Sequence, residues 1–238
     1  MSTHYLVFQL CAPLAAWGDV AVGEYRGSRE YPGASALIGL LGAALGVRRE
    51  DETAHAALRD GYRFAIGVVA AGDLLRDYHT AQVPGRTTLA KRPHATRRDE
   101  LNVPKQDLNT ILSTRDYRQG VAYVIAVQAE PVAPHTLEAL ALALCEPRFV
   151  LYLGRKCCPP AAPLASRVVA AGSVHAAFND YLTKVDLGGM LRSIVWSDGV
   201  QAGVSAHLSV QRKDRLIRRI SWQFGDRTEH MALLAEDD

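Results

Sequence analysis

No stretch of this 238-residue sequence approaches the ~20 consecutive apolar residues that span a bilayer, so no membrane-spanning helix is expected. The opening MSTHYLVFQL has neither a basic leader nor a long apolar segment, so no signal peptide is expected and a cytoplasmic location is. Cysteine is sparse. Cys11, Cys145, Cys157 and Cys158 form no CxxC pair and have no histidine pair at zinc-ligand spacing. Vicinal Cys157 and Cys158 admit a strained disulfide or a soft-metal site, but two further ligands are missing nearby. Buried free thiols are therefore the expectation in a reducing compartment, with no metal and no cofactor. No Gly-Lys-Ser/Thr follows the glycines near residue 40, which removes a phosphate-binding loop. No internal repeat is present. An excess of one charge is lacking too, since 27 basic against 25 acidic residues leave a net +2.

What is present is a hydrophobic fraction of 48%, enough for a sizeable core in one large domain or one domain with a small second. The charge is also unevenly placed. From Arg86 to Arg118 eight cations (Arg86, Lys91, Arg92, Arg97, Arg98, Lys105, Arg115, Arg118) face four acids. Residues 205–230 hold six cations against three acids. Such asymmetry points to an acidic partner, although a solvated face explains isolated runs as well.

Alternation over His4 to Leu10 predicts a strand with Leu6, Phe8 and Leu10 on one face. ASALIGLLGAALG (34–46) carries Ala34, Leu37, Ile38, Leu41 and Leu45 at helical spacing. Gly39 and Gly42 each cost that helix about 1 kcal/mol against alanine, so close approach of another backbone along the Gly39, Gly42, Gly46 stripe is the expected compensation. Further strands are expected at 63–70, at VAYVIAVQ (121–128) and at FVLYL (149–153), with a helix over PHTLEALALALCEP. Strand, helix, strand, strand, helix, strand is the ferredoxin-like order. The expected fold is thus α+β, an RRM-like domain over 1–158, with a C-terminal antiparallel β subdomain over 159–238 marked off by PPAAPLA. In that subdomain MLRSIVWSDG, AHLSVQRK and RRISWQF read as short strands. Residues 76–118 are too long and too basic for a hairpin turn, and are expected to form an arm projecting from the sheet.

A four-stranded sheet of this kind with surface aromatics suits single-stranded RNA, with bases stacked on rings and cations on phosphates. Tyr25 with Arg26, Tyr78 with His79, Tyr117 with Arg118, and Tyr152 with Arg155 and Lys156 supply that interleaving. For each pair a core aromatic beside a surface cation is the competing reading.

The segments LCAPLAAWG (10–18), SALIGLLGAALG (35–46), LRDYHT (75–80) and YLGRKCCPP (152–160) resemble the CasD family, the small backbone subunit of the CRISPR type I-E Cascade surveillance complex. The similarity covers most of residues 1–165 in order and spacing, and loosens in the arm interior and the C-terminal third. The resemblance implies a palm and thumb that grip the repeat-derived 5′ handle of the guide RNA. It implies as partners the other Cascade backbone subunits and the large subunit that reads the PAM, with target DNA met only indirectly and no membrane. Leu153, Gly154, Arg155 and Lys156, and the strand start with Arg76, Tyr78 and His79, are then the expected handle contacts. Arg26, Arg29, Arg97, Arg98 and Tyr152 are added from the cation and aromatic pattern. Gly154 is expected to let backbone approach a phosphate, and Arg155 to fork two phosphate oxygens.

Two other activities compete with the grip. A metal-independent endoribonuclease acting on repeat RNA needs a base and a charge stabiliser, for which His79 or His94 beside a cation is the candidate. A general single-strand binder is the blander alternative. The expectation is no catalysis.

Overall fold

The N-terminal alternation becomes β1 (Thr3–Ala15) in the computed structural model, which describes residues 2–19, 21, 23–90, 92, 93 and 95–234. Three short strands, β2 (Trp17–Gly18), β3 (Tyr25–Arg26) and β4 (Ser28–Arg29), precede helices α1 (Ala34–Leu45) and α2 (Glu52–Gly61). Next come β5 (Tyr62–Ala70), β6 (Asp73–Pro84), the short helices α3 (Arg86–Leu89) and α4 (Arg97–Leu101), and the long β7 (Leu108–Ala129). The order closes with α5 (Leu137–Cys145), β8 (Arg167–Ala171), α6 (Val174–Leu182), β9 (Ser193–Ser197), β10 (Leu208–Arg218) and β11 (Gln223–Leu233). No helix among the described residues is long and apolar enough to cross a membrane.

The result is a mixed α/β fold built on a large antiparallel sheet. Its main path is β10-β11-β9-β5-β7-β1-β8, with β3 and β6 joined to β7 beside it. The pairing of β3 with β7 is parallel. The central strands are buried on both faces, and their period of two sorts side chains into two cores. Leu6, Phe8 and Leu10 of β1, with Phe64, Ile66, Tyr123 and Ile125, pack under α1, α2 and α5. Tyr5 and Val7, with Ala65, Val124 and Ala126, pack under α6 through Ala177, Phe178 and Tyr181. Each fully buried large side chain contributes about 1.5–3 kcal/mol.

The fourth strand is not where the sequence places it. FVLYL (149–153) is irregular, and β8 pairs with β1 instead. Its amides are taken elsewhere: Arg148 and Phe149 N–H bond Ala44 and Ala43 O at the end of α1, and Leu153 N–H bonds Cys158 O. The segment closes the open end of a helix, which an edge strand cannot do at the same time. Beyond residue 158, β8 pairs with β1 and β9 with β5, so one sheet continues through the division expected there. RRISWQF is likewise not one strand: Arg218 ends β10, residues 219–222 form the turn, and Gln223 and Phe224 begin β11.

Side chains rather than another backbone fill the glycine stripe of α1. A Cβ on Gly39 would lie 3.2 Å from the Arg219 guanidinium, and one on Gly42 would meet His55 and Leu58 of α2 at 3.5 and 3.7 Å. The N-cap, Gly33, has no side chain to offer. Asp214 of β10 supplies the missing acceptor, taking Ala34 N–H on Oδ2 at 2.9 Å while Arg227 holds its carboxylate at 2.6 and 2.9 Å. The C-terminal hairpin is thereby tied to the start of α1.

Residues 73–84 and 108–119 form a two-stranded ribbon in register from Asp73 with Gln119 to Pro84 with Leu108. The short helices α3 and α4 sit at its far end.

Candidate nucleic-acid interface

The base of the ribbon is organised by Asp116, whose side chain is only 2% exposed. Register places Arg76 opposite it, and the guanidinium donates to both carboxylate oxygens at 2.9 and 3.1 Å. Tyr25, brought alongside by the β3–β7 pairing, donates its hydroxyl to Oδ2 at 2.5 Å. The Arg76 hydrogen bonds hold the Asp116 carboxyl below the usual carboxylate range against the opposing effect of burial. The same carboxylate pushes the Tyr25 phenol up. Arg76 is therefore engaged inside the protein, although half of its side chain remains exposed.

Arg155 locks onto the same cluster from the 152–158 turn. Its guanidinium lies 4.5 Å from the centre of the Tyr117 ring and donates to Asp116 O and Arg26 O, each at 3.1 Å. Lys156 beside it is exposed. Gly154 is needed for an internal reason. It has φ +87°, and a Cβ there would fall 1.8 Å from Ala16 O. Leu153 is a core residue, 1% exposed, with its N–H given to Cys158 O and its O taken by Ala16 N–H. Its backbone and side chain are both committed, so the expected RNA contact at Leu153 is withdrawn. Cys157 and Cys158 are free thiols with Sγ atoms 3.9 Å apart.

Arg26, Arg29, Tyr152, Gly154 and Arg155 line one groove of about 410 Å³. Its other walls come from α1 and its N-cap, at Gly39 and Gly33, and from the β10–β11 turn, at Arg219 and Trp222. Arg29 is paired with Asp19 at 2.7 Å.

The remaining expected residues lie out along the ribbon. Arg97 donates to Gln82 O and meets Glu100 at 2.5 Å. Gln82 is six residues beyond Arg76 on β6, roughly 20 Å at the rise of an antiparallel strand. Arg98 is exposed at the same tip. Tyr78 shares a face with Arg76, two residues back, whereas His79 points to the opposite face. The nearest polar partner of His79 is Asp77 Oδ2, at 3.3 Å. Lys91 and His94 lie outside the described residues.

Arg49, Arg219 and Trp222 escaped the sequence reading, as did the part played by Asp116. RRISW has the same interleaving of cation and aromatic as the four pairs above, and that was the available signal. Asp116 gives none, because its importance follows from which strands meet.

The family model described as CRISPR-associated protein (Cas_Cas5) matches residues 5–228. The CRISPR system Cascade subunit CasD of Escherichia coli (strain K12) is 30% identical over 187 residues, covering 74% of this chain and 76% of that protein. Among solved structures, a chain of a CRISPR RNA-guided surveillance complex matches with TM-score 0.65 and 22% identity, over 96% of this chain and 89% of that one. A Cas protein crystal structure matches with TM-score 0.60 and 23% identity, over 97% and 94%.

Proposed function

This chain belongs to the CRISPR-associated protein (Cas_Cas5) family, and from that premise we propose that it is a non-catalytic subunit of a Cascade-type surveillance complex. In this reading it grips the repeat-derived 5′ handle of the guide RNA, caps the backbone of the complex in the cytoplasm and serves antiviral DNA surveillance. Its partners are the neighbouring backbone subunits and the PAM-reading large subunit. The strand order β8-β1-β7-β5, with α1 and α5 on one face, supports a ferredoxin-like palm, and the ribbon supports a thumb.

The observation that carries the grip is the convergence of Arg26, Arg29, Tyr152 and Arg155 on one groove at the ribbon base. Cations beside an exposed ring match a charged backbone with unstacked bases. His79 suits a contact role better than a catalytic one. Its partner is the acid Asp77, whereas cleavage needs a cation beside the base to stabilise the transition state.

Fluorescence anisotropy against repeat-derived RNA, a scrambled RNA and the matching DNA tests the reading, with the RNA then run on a denaturing gel in EDTA. Preference for the repeat RNA with intact strands is expected. A discrete product, lost in His79→Ala, would make the chain a nuclease instead.

A further inference from the structure

At the tip of the C-terminal hairpin, Arg219 and Trp222 meet Arg49 from the connection between α1 and α2. Arg49 and Arg219 both lie 4.8 Å from the centre of the Trp222 ring. Trp222 is 53% exposed and sits at φ +52°, a conformation that bulky residues seldom hold. Arg219 is half-buried against Gly39 of α1. Burial pulls its guanidinium below the ordinary arginine value, and the charge of Arg49 acts in the same direction. Glu52, the nearby acid, spends its carboxylate on the main-chain N–H groups of Arg219 and Ile220 at 3.1 and 2.7 Å.

Among the described residues, the guanidinium hydrogen bonds of Arg26, Arg49 and Arg155 go to main-chain oxygens. The acids on the groove wall are already engaged, Asp19 with Arg29 and Asp214 with Arg227. Arg26, Arg155 and Arg219 thus line one groove, and Arg49 adds a further guanidinium against the Trp222 ring that Arg219 also meets. Crowding like charges in a partly desolvated site is unfavourable until an anion arrives.

We propose that Arg219, backed by Trp222 and flanked by Arg49, seats a phosphodiester of single-stranded RNA across the groove from Arg155, with the adjoining base against Tyr152. The C-terminal hairpin is then part of the grip, not only a support for α1. The proposal rests on the guide-RNA reading above and extends it to a second wall of the groove.

Trp222 provides its own probe, because the other two tryptophans, Trp17 and Trp196, are only 3% and 6% exposed. Repeat-derived RNA should change the tryptophan emission of the full chain, and the change should vanish in Trp222→Phe. Arg219→Gln should weaken binding roughly three- to tenfold and lower the log–log salt slope by ~0.7, with Arg219→Lys retaining the slope. Rising anisotropy with unchanged emission, together with wild-type affinity and slope in Arg219→Gln, would overturn the seat and leave the guide-RNA reading standing. An emission change with matching DNA but not with RNA would overturn the RNA assignment. No RNA binding by the wild-type chain at low salt would sink both.

Discussion

Gly154 shows how a single residue's meaning depends on what lies against it. In the sequence it stands between a hydrophobic run and two cations, and a ligand-facing turn is the natural reading. In the fold its missing Cβ makes room for Ala16 O, while its left-handed φ independently favours glycine. Gly154→Ala should therefore destabilise the protein by at least ~2 kcal/mol, a fall in Tm of about 5 °C or more for a chain of this size. A melt within 1 °C or so of wild type would show that the crossing relaxes. Asp116 carries a pH dependence of known sign. Its folded carboxyl is held below the unfolded value of about 3.9. Its contribution is then fully present above that value and is lost as pH falls through the lower folded one. Asp116→Asn should be less stable than wild type at pH 7, because Arg76 and Tyr25 lose their anion. Urea denaturation across pH should find the gap narrowing below about pH 4, and a gap unchanged down to pH 3 would contradict the assignment.

At the scale of elements, the ribbon and the hairpin do different work. The ribbon's two strands satisfy each other along their length, and among the described residues its tip is held to it by the bond from Arg97 to Gln82 O and closed by that from Gly85 N–H to Asp107 O. Replacing residues 85–107 with an Asn-Gly turn should therefore leave the melting temperature within a few degrees, since two-residue turns close such ribbons well. The same variant should fail to co-purify with the neighbouring subunits of a complex. Intact co-purification would remove the thumb from assembly. The hairpin is bound more tightly, to the start of α1 and to Tyr31. Asp214 caps α1, and Glu229 is buried between Arg212, Arg227 and the Tyr31 hydroxyl. Breaking a buried charge pair of this kind costs several kcal/mol.

At the scale of the whole molecule the modest net charge of +2 is a poor guide, because affinity for a polyanion follows the local pairing of cations with phosphates. Removing one such pairing on a single strand lowers the slope of log K against log salt by ~0.7. Lys156→Ala should take one such step in a salt titration with repeat RNA and leave the melt unchanged, since its side chain is exposed. Arg155→Ala should take the same step and also lower Tm, because that guanidinium ties Tyr117, Asp116 and Arg26 together. A wild-type slope in both would take the turn out of the interface.

Much of this was legible in the chain itself. Period-two and period-3.6 patterns located β1, β5, the buried half of β7, α1 and α5, because burial of one face is a local property of spacing. The run GLLGAALG and the turn YLGRKCCPP were enough to suggest the family. The identity of the outer strand beside β1, the continuation of the sheet beyond residue 158 and the capping of α1 by Asp214 were decided only in three dimensions. Each depends on backbone donors meeting acceptors tens to hundreds of residues away, as Ala34 meets Asp214. No local pattern encodes such a pairing. The groove is of the same kind: its cations are scattered from Arg26 to Arg219, and only the closure of the sheet and hairpin around α1 brings them to one surface.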